Sequence, residues 1–355
     1  MTMLAEVVDA VVGIDTHRDT HQAEIADATG RPLTVLQVSN DSDGFARLLA
    51  TIAAVAPGPA VAVSVEGSRS YGIGLARALT AAGLLVIECE QPARRQRRGN
   101  GKSDQIDAHL AVLAALRLDD TRLPALRADG DREALRILLI ARQEMTTAST
   151  AQASRLRALL LTGGDADRRA ARKALPTTAL STLAGRELSS NASREQLIRQ
   201  AEITRLALAL IQARGQLKHN KAQLLAIADE LAPGLTSRYG VGPVSAAQAI
   251  VSFSHPGRCR NEAAFAALGG TSPIPASSGK TIRHRLNRGG DRSLNSAIHT
   301  IAVSRIRSCP RTRAYVARRT AEGKTPREIR RCLKRYIARE LYRQLTQSMN
   351  RPASP

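Results

Sequence analysis

The amino-acid sequence predicts an α/β domain followed by a long, mainly helical remainder. Three observations carry that expectation. Short apolar runs with strand spacing crowd the front of the chain. Segments of helical period with few breakers fill most of the remainder. The charge also changes sign along the chain. Residues 1–91 hold 11 acidic and 5 basic side chains, whereas the 355-residue chain as a whole is +21. The remaining 264 residues therefore carry +27.

The front elements run in order along the chain. Val11–Asp15 is an apolar run and His21–Asp27 partly alternates. Asp27-Ala-Thr-Gly30 is a turn, and Leu33–Val38 forms a third short strand. Ser42–Val55 reads as a helix, with Phe45, Leu48, Leu49 and Ile52 on one face. Val61–Val65 is a buried-type strand, Gly72–Ala82 a helix, Leu84–Ile87 a strand and Asp104–Arg117 a closing helix. Three antiparallel strands followed by α/β crossovers is the ribonuclease-H order of elements.

Behind this unit, Asp131–Thr162 is predicted helical, and 163–193 is mixed and contains a connector. The next helix carries a heptad seam of Ile203, Leu206, Leu210, Ala213, Leu217, Asn220, Leu224, Ile227 and Leu231. Spacings alternating between three and four are what a coiled coil requires, and a polar residue such as Asn220 can fix register. The partner is either a second chain or the helix at 131–162. The rear, from Pro233, is mostly helical, and 257–343 holds 21 basic and 5 acidic side chains. The expected domains are 1–127, 128–232 and 233–350.

Composition narrows the function classes. Strong positive charge points to a polyanionic partner, nucleic acid before membrane. Cys89, Cys259, Cys309 and Cys332 are too scattered for a zinc knuckle. No signal peptide or membrane-length apolar run is expected, so a reduced, cytoplasmic setting is. Aromatics are only 2% and Trp is absent, which disfavours recognition by base stacking.

The carboxylates are the sharpest chemical signal. Asp15 ends the first strand in Gly-Ile-Asp-Thr-His17, and Glu66 ends the fourth in Val-Glu-Gly-Ser68. Asp104 and Asp107 open the closing helix, three residues apart and so on one face. In ribonuclease-H order the first and fourth strands are neighbours under that helix, so all four meet. Hard cations such as Mg²⁺ offset their repulsion. Two such ions about 3.5–4 Å apart would serve phosphodiester chemistry. His17 and His21 have the spacing of a zinc pair, but an extended chain separates them, and they read as surface or strand-edge histidines.

With these residues the chain resembles the DEDD transposases of bacterial insertion sequences, the IS-one-ten family, over essentially its whole length. Asp15, Glu66, Asp104 and Asp107 match the family's four-carboxylate motif one for one. The resemblance implies a RuvC-like N-terminal domain, a helical coiled-coil middle, and a mainly helical C-terminal transposase domain with a helix-hairpin-helix. It implies Mg²⁺ of the two-metal type, donor and target DNA, a structured guide (bridge) RNA, and a homo-oligomer, dimer to tetramer, assembling its site between protomers. A nucleoid-associated location goes with such a function.

Two rear motifs belong with it. Gly240-Val-Gly242-Pro243 looks like the turn of a helix-hairpin-helix, with Pro243 near the first turn of the next helix and backbone N–H groups suited to a phosphate. Gly279-Lys280-Thr281 is not a P-loop, because Ile274 stands where its first glycine belongs. The family instead has a nucleophilic serine before a glycine, which places that role on Ser278, with Ser277 as the alternative one residue away. The chain departs from the family's Gly-Leu-x-Pro in having Gly269-Gly-Thr-Ser-Pro273 there. A serine hydroxyl needs activation, and none of the neighbours in this segment is a base. The basic candidates for nucleic acid are Arg94, Arg95, Arg97 and Arg98 before Asp104, and Lys280, Arg283, Arg285, Arg288 and Arg292 after the serine. Arg327, Arg331, Arg335 and Arg339 complete them as one helical stripe.

Overall fold

The computed structural model describes residues 2–89, 104–127, 130–187, 192–276, 284–285, 287 and 289–349. The chain divides into two compact units. The first comprises 1–133 with 253–265, the second 134–252 with 266–355.

The first unit is built on a five-stranded sheet. Its strands are β1 (Ala10–Thr16), β2 (Thr20–Asp27), β3 (Pro32–Ser39), β4 (Val61–Val65) and β5 (Leu85–Glu88), in the spatial order β3-β2-β1-β4-β5. β1–β2 and β2–β3 pair antiparallel, β1–β4 and β4–β5 parallel. The helices are α1 (Ser42–Val55), α2 (Ile73–Ala81) and α3 (Asp104–Leu116). This is the element order expected from the sequence, and every expected strand and helix is present within a residue or two.

Strand alternation sorts the side chains between two cores. Val12, Ile14, Ile25, Val63 and Val65 join Leu48, Ile52, Leu75 and Leu79 beneath α1 and α2. Val11, Ala26, Ala62 and Ile87 face the other way and pack on Val112, Ala115 and Leu116 of α3. Gly13 and Asp15 share the parity of Val11 and so lie on the α3 side.

The second unit contains α4 (Gly130–Leu161, most of it), α5 (Asp165–Ala171), α6 (Thr177–Ala184), α7 (Arg194–Leu231) and α8 (Pro243–Phe253). Beyond α9 (Glu262–Leu268) it continues with a small pair β6 (Ile274–Pro275) and β7 (His284–Arg285). It ends with α10 (Arg292–Ser308), α11 (Pro310–Ala321) and α12 (Pro326–Met349). α7 starts with a capping box in which Ser193 and Gln196 exchange hydrogen bonds. Part of its heptad seam is covered by the same chain. Ile203, Leu206 and Leu210 share a core with Leu156 and Leu160 of α4 and with Leu180 and Leu183 of α6. Asn220 donates from Nδ2 to the Leu138 carbonyl at 2.9 Å and accepts from Arg142 Nη1 at 3.3 Å. At these positions the seam packs on the helix at 131–162, one of the two partners its spacing allows. The 163–193 stretch contains two short helices where the sequence, broken by Gly163, Gly164 and Pro176, suggested a connector.

Candidate carboxylate centre and basic groove

The carboxylate centre depends on one missing side chain. A Cβ on Gly13 would come within 2.1 Å of the Ala108 carbonyl oxygen and 2.8 Å of Val112. Only glycine lets α3 lie so close on β1. A second fastening is partly buried: His109 Nδ1 donates to Glu24 Oε1 at 2.6 Å, tying α3 to β2. The first turn of α3 is thereby fixed over the end of β1, two residues beyond Gly13.

Asp15 is there, 8% exposed. β1 and β4 run parallel with Ile14 opposite Val65, and the Glu66 N–H donates to the Ile14 carbonyl at 2.9 Å. Thr16 Oγ1 donates to the Glu66 carbonyl at 2.8 Å. Glu66 is thus held beside Asp15 by main-chain geometry, and Gly67, at φ +71, turns the chain away immediately afterwards. Burial raises the Asp15 carboxyl above the usual carboxylate range, His17 opposes that shift, and Glu66, Asp107 and Asp104 add to it by repulsion. Glu66, Asp104 and Asp107 are thus near enough to bear on the Asp15 carboxyl.

His17 belongs to the same cluster. Its Nε2 lies 3.2 Å from Asp15 Oδ2 and 3.3 Å from Asp104 Oδ1, and the donor atoms of these three residues fall within 4.8 Å of one another. Sequence reasoning set His17 aside with His21 as a surface or strand-edge residue. The available signal was the i, i+2 spacing from Asp15, which puts both on one side of an extended segment. His21 differs from that reading in being fully buried, bonded through Nε2 to Asn40 at 3.0 Å and stacked on Phe45. The two histidines do not form a pair.

The donor set fits a hard divalent ion. It is dominated by carboxylate oxygens, one of them buried and crowded by three others, and a bound cation would relieve that repulsion. Asp15, His17 and Asp104 bring their ligand atoms close enough together to hold one.

In the second unit, the α12 stripe lies along a groove. Arg327, Arg331, Arg335 and Arg339 line it with Pro273, His284 and Arg330. Arg335 Nη1 reaches Ser272 Oγ at 3.4 Å and Arg331 Nη1 the His284 carbonyl at 3.5 Å. The β6–β7 pair therefore lies beside this groove. Arg285 is exposed on β7 and Arg292 on the first turn of α10. Ser277, Ser278, Lys280, Arg283, Arg288 and the Arg94, Arg95, Arg97, Arg98 cluster lie outside the described residues.

Lys334, in a small cavity beside this groove with Gly270, Pro273 and Arg285, is a residue that the sequence did not single out. It is half-buried and donates to Asn295 Oδ1 at 2.6 Å, while Asn295 Nδ2 donates to the Gly269 carbonyl at 2.6 Å. Burial lowers its pKa. The chain Lys334–Asn295–Gly269 fixes the turn entering the β6 segment. The glycines at the expected hairpin have different roles. Gly240, at φ +76, packs against Arg305 and Ile301 of α10, and Arg305 Nε donates to the Tyr239 carbonyl at 2.8 Å. Gly242 stands in open space ahead of α8.

A mixed five-stranded sheet in this order, with acidic side chains where β1 and β4 end under a helix, is consistent with a RuvC-like domain. Comparison with known proteins carries the identification further. Residues 12–163 match the DEDD transposase family model of IS110, described as a transposase, and residues 232–317 match the model for the transposase IS116/IS110/IS902 family. The chain belongs to the IS110 family of transposases. Over 123 residues it is 34% identical to the insertion element IS110 uncharacterized 43.6 kDa protein of Streptomyces coelicolor. That stretch is 34% of this chain and 30% of the relative, so the chain matches less than a third of the relative's length. Among the described residues no helix is long and apolar enough to cross a membrane.

Proposed function

We propose that the chain is an RNA-guided DNA transposase/recombinase of an insertion sequence, which cleaves and exchanges strands through a serine–DNA ester. The observation that supports this most is the crowding of Asp15 by Glu66, Asp104 and Asp107, with His17 against it, in a family of transposases. Mg²⁺ held there, as a two-metal centre, would assist deprotonation of an attacking hydroxyl and stabilise the departing strand oxygen.

The nucleophile in this reading is Ser278, with Ser277 the neighbour to test. Its Oγ forms a bond to phosphorus while a strand oxygen leaves, and the serine proton ends on that oxygen. The phosphoserine ester conserves the energy of the broken bond. A strand hydroxyl can then attack it and reseal without ATP, which exchange requires and hydrolysis does not. The arginines of the α12 groove would hold the backbone by charge. Arg94, Arg95, Arg97 and Arg98 are assigned to the guide RNA, and the active form is assigned to a homo-oligomer.

The test is denaturing electrophoresis of labelled DNA incubated with the protein, its guide RNA and Mg²⁺, followed by peptide mapping. An adduct is expected in wild type and absent in Ser278→Ala. An adduct lost only in Ser277→Ala moves the nucleophile by one residue. Cleavage without any adduct establishes a water-attacking nuclease instead. Sequencing of co-purified RNA tests the guide, with a single structured RNA from the element as the expected result.

A further inference from the structure

Among the arginines of the α12 groove stands an exposed aromatic ring. Tyr336 is 55% exposed and lines the groove together with Arg335 and Arg339. A second cavity, of about 410 Å³, shares Tyr336 and Arg339 with the groove and adds Arg238, Arg343 and Gln347. Groove and cavity together follow α12 from Arg327 to Gln347, about 30 Å of helix. Tyr336 thus stands within a continuous basic track and not at its edge. Its ring is also braced. Tyr315 of α11 meets it edge to face, with ring centres 6.1 Å apart at 88°. The Arg318 guanidinium in turn lies 5.5 Å from the Tyr315 ring centre. A half-exposed ring held in this way loses little freedom when a flat partner packs on it.

The groove and the ring select different parts of one ligand. Arginines along a helix attract a phosphate backbone, whereas the ring calls for the face of a π-system. A base inside a duplex offers no free face, because its neighbours cover both. An unpaired base does, and stacking on an aromatic side chain tolerates any base. A positively charged track that carries an aromatic ring is the usual construction of a single-strand groove. The scarcity of aromatics in this chain excludes a sheet of stacked bases but not a single ring placed on such a track. Location favours DNA as the strand. The β6–β7 pair lies beside the groove, and in sequence β6 and β7 flank Ser278, the residue proposed above to attack DNA. Strand exchange also passes through bases that have lost their partners.

We propose that Tyr336 is a stacking platform for an unpaired base of the DNA strand held in the α12 groove. The arginines position the backbone, and the ring receives a base without reading its identity. The inference rests on the assignment of this groove to DNA.

The experiment uses the full chain and four probes of one sequence: single-stranded DNA, the fully paired duplex, a duplex with a short mismatched bubble, and single-stranded RNA. Affinity is measured against salt for wild type, Tyr336→Ala, Tyr336→Phe and Arg335→Ala. Tyr336→Ala should weaken binding of the single strand and of the bubble at least about fivefold, the lower end for one base on one ring. It should leave the paired duplex nearly unchanged. Its log–log salt slope should match wild type, because a stack releases no counterions, whereas Arg335→Ala should flatten the slope on a single strand by about 0.7. Tyr336→Phe keeps the ring and should bind as wild type. Tyr336→Trp gives a direct signal in a chain that has no Trp: its emission should be quenched by the single strand and not by the duplex. That signal decides the matter even if Tyr336→Ala fails to fold. Equal losses in Tyr336→Phe and Tyr336→Ala overturn stacking in favour of a contact through the hydroxyl. A loss as large on the paired duplex, or one confined to RNA, also overturns it. So does a lower melting temperature with unchanged affinity, which leaves the ring only its packing on Tyr315. If Arg335→Ala weakens DNA binding while the Tyr336 variants bind as wild type, the platform fails and the groove keeps its assignment to DNA. If Arg335→Ala has no effect either, both fail.

Discussion

The carboxylate centre and the α12 groove are built by opposite means. The first gathers like charges in one half-buried spot, and it needs a glycine on β1, a partly buried His109–Glu24 contact and a parallel register between β1 and β4 to do so. The second spreads like charges along a helix at one per turn, each arginine in contact with solvent. Crowded carboxylates repel and must be forced together by packing, and their usefulness lies in that crowding. Spaced arginines need only a helix. The first should therefore fail all at once when its packing is disturbed, and the second should weaken by degrees.

The strongest way to break that contrast is Gly13→Val. It alters no functional group, yet its branches would meet the Ala108 carbonyl and Val112. The expected result is loss of DNA cleavage as complete as in Asp15→Asn or Glu66→Gln, with a melting temperature well below that of wild type and of either carboxylate variant in the absence of divalent metal. Near-normal cleavage by Gly13→Val would mean that α3 can shift without cost to the centre.

The groove should behave differently. Single alanine replacements of Arg327, Arg331, Arg335 or Arg339 should each flatten the salt dependence of DNA binding by about 0.9, and the four together by about 3.6. Over the whole chain, affinity should fall on the order of 10³-fold or more between 50 and 200 mM salt if six or more phosphates are contacted. One arginine that abolished binding by itself would make the groove a specific site, and the contrast would collapse.

A third test concerns the helical seam. Leu210 is buried against its own chain, so Leu210→Ala should cost about 2–5 kcal/mol of stability, as for other core truncations. Chemical denaturation should give that loss independently of protein concentration. A concentration-dependent loss would show that a second chain shares the seam.

How far the sequence could be read divides along the same line. Strands and helices of the first unit were legible because each carries its own period, and Asp15 and Glu66 were legible as strand-end acids. The role of Gly13 was not, since a glycine in a strand signals a close approach without saying of what. His17 was passed over because its spacing to His21 drew attention away from its spacing to Asp15. Segment 253–265 carries no local pattern that assigns it to the first unit, since only long-range packing does so. The arginine stripe was visible from its four-residue repeat, whereas Lys334 and Asn295 are ordinary helix residues until the fold joins them to Gly269. The heptad seam specified a covered face but not its cover, because a helix of the same chain and a helix of another satisfy the same spacing.

The smallest expected effect is also the most direct probe of crowding. The Asp15 carboxyl is raised above its unfolded value, chiefly by burial, with Glu66, Asp107 and Asp104 adding to the shift. A carboxyl raised on folding binds its proton more tightly in the native state. Its contribution to stability is therefore complete below the unfolded value of 3.8 and is lost as pH rises through the higher native value. Without divalent metal, wild type should melt at a lower temperature at neutral pH than Asp15→Asn, and the difference should shrink on acidification. Adding Mg²⁺ should reverse the order, because an ion that binds only the native carboxylates stabilises wild type in proportion to its occupancy. Differential scanning calorimetry across pH, with Mg²⁺ or with a chelator, measures both halves. If Asp15→Asn melts at or below wild type in the chelator, the four acids are not under mutual strain, and the centre is held by contacts to Asp15 that the amide cannot replace.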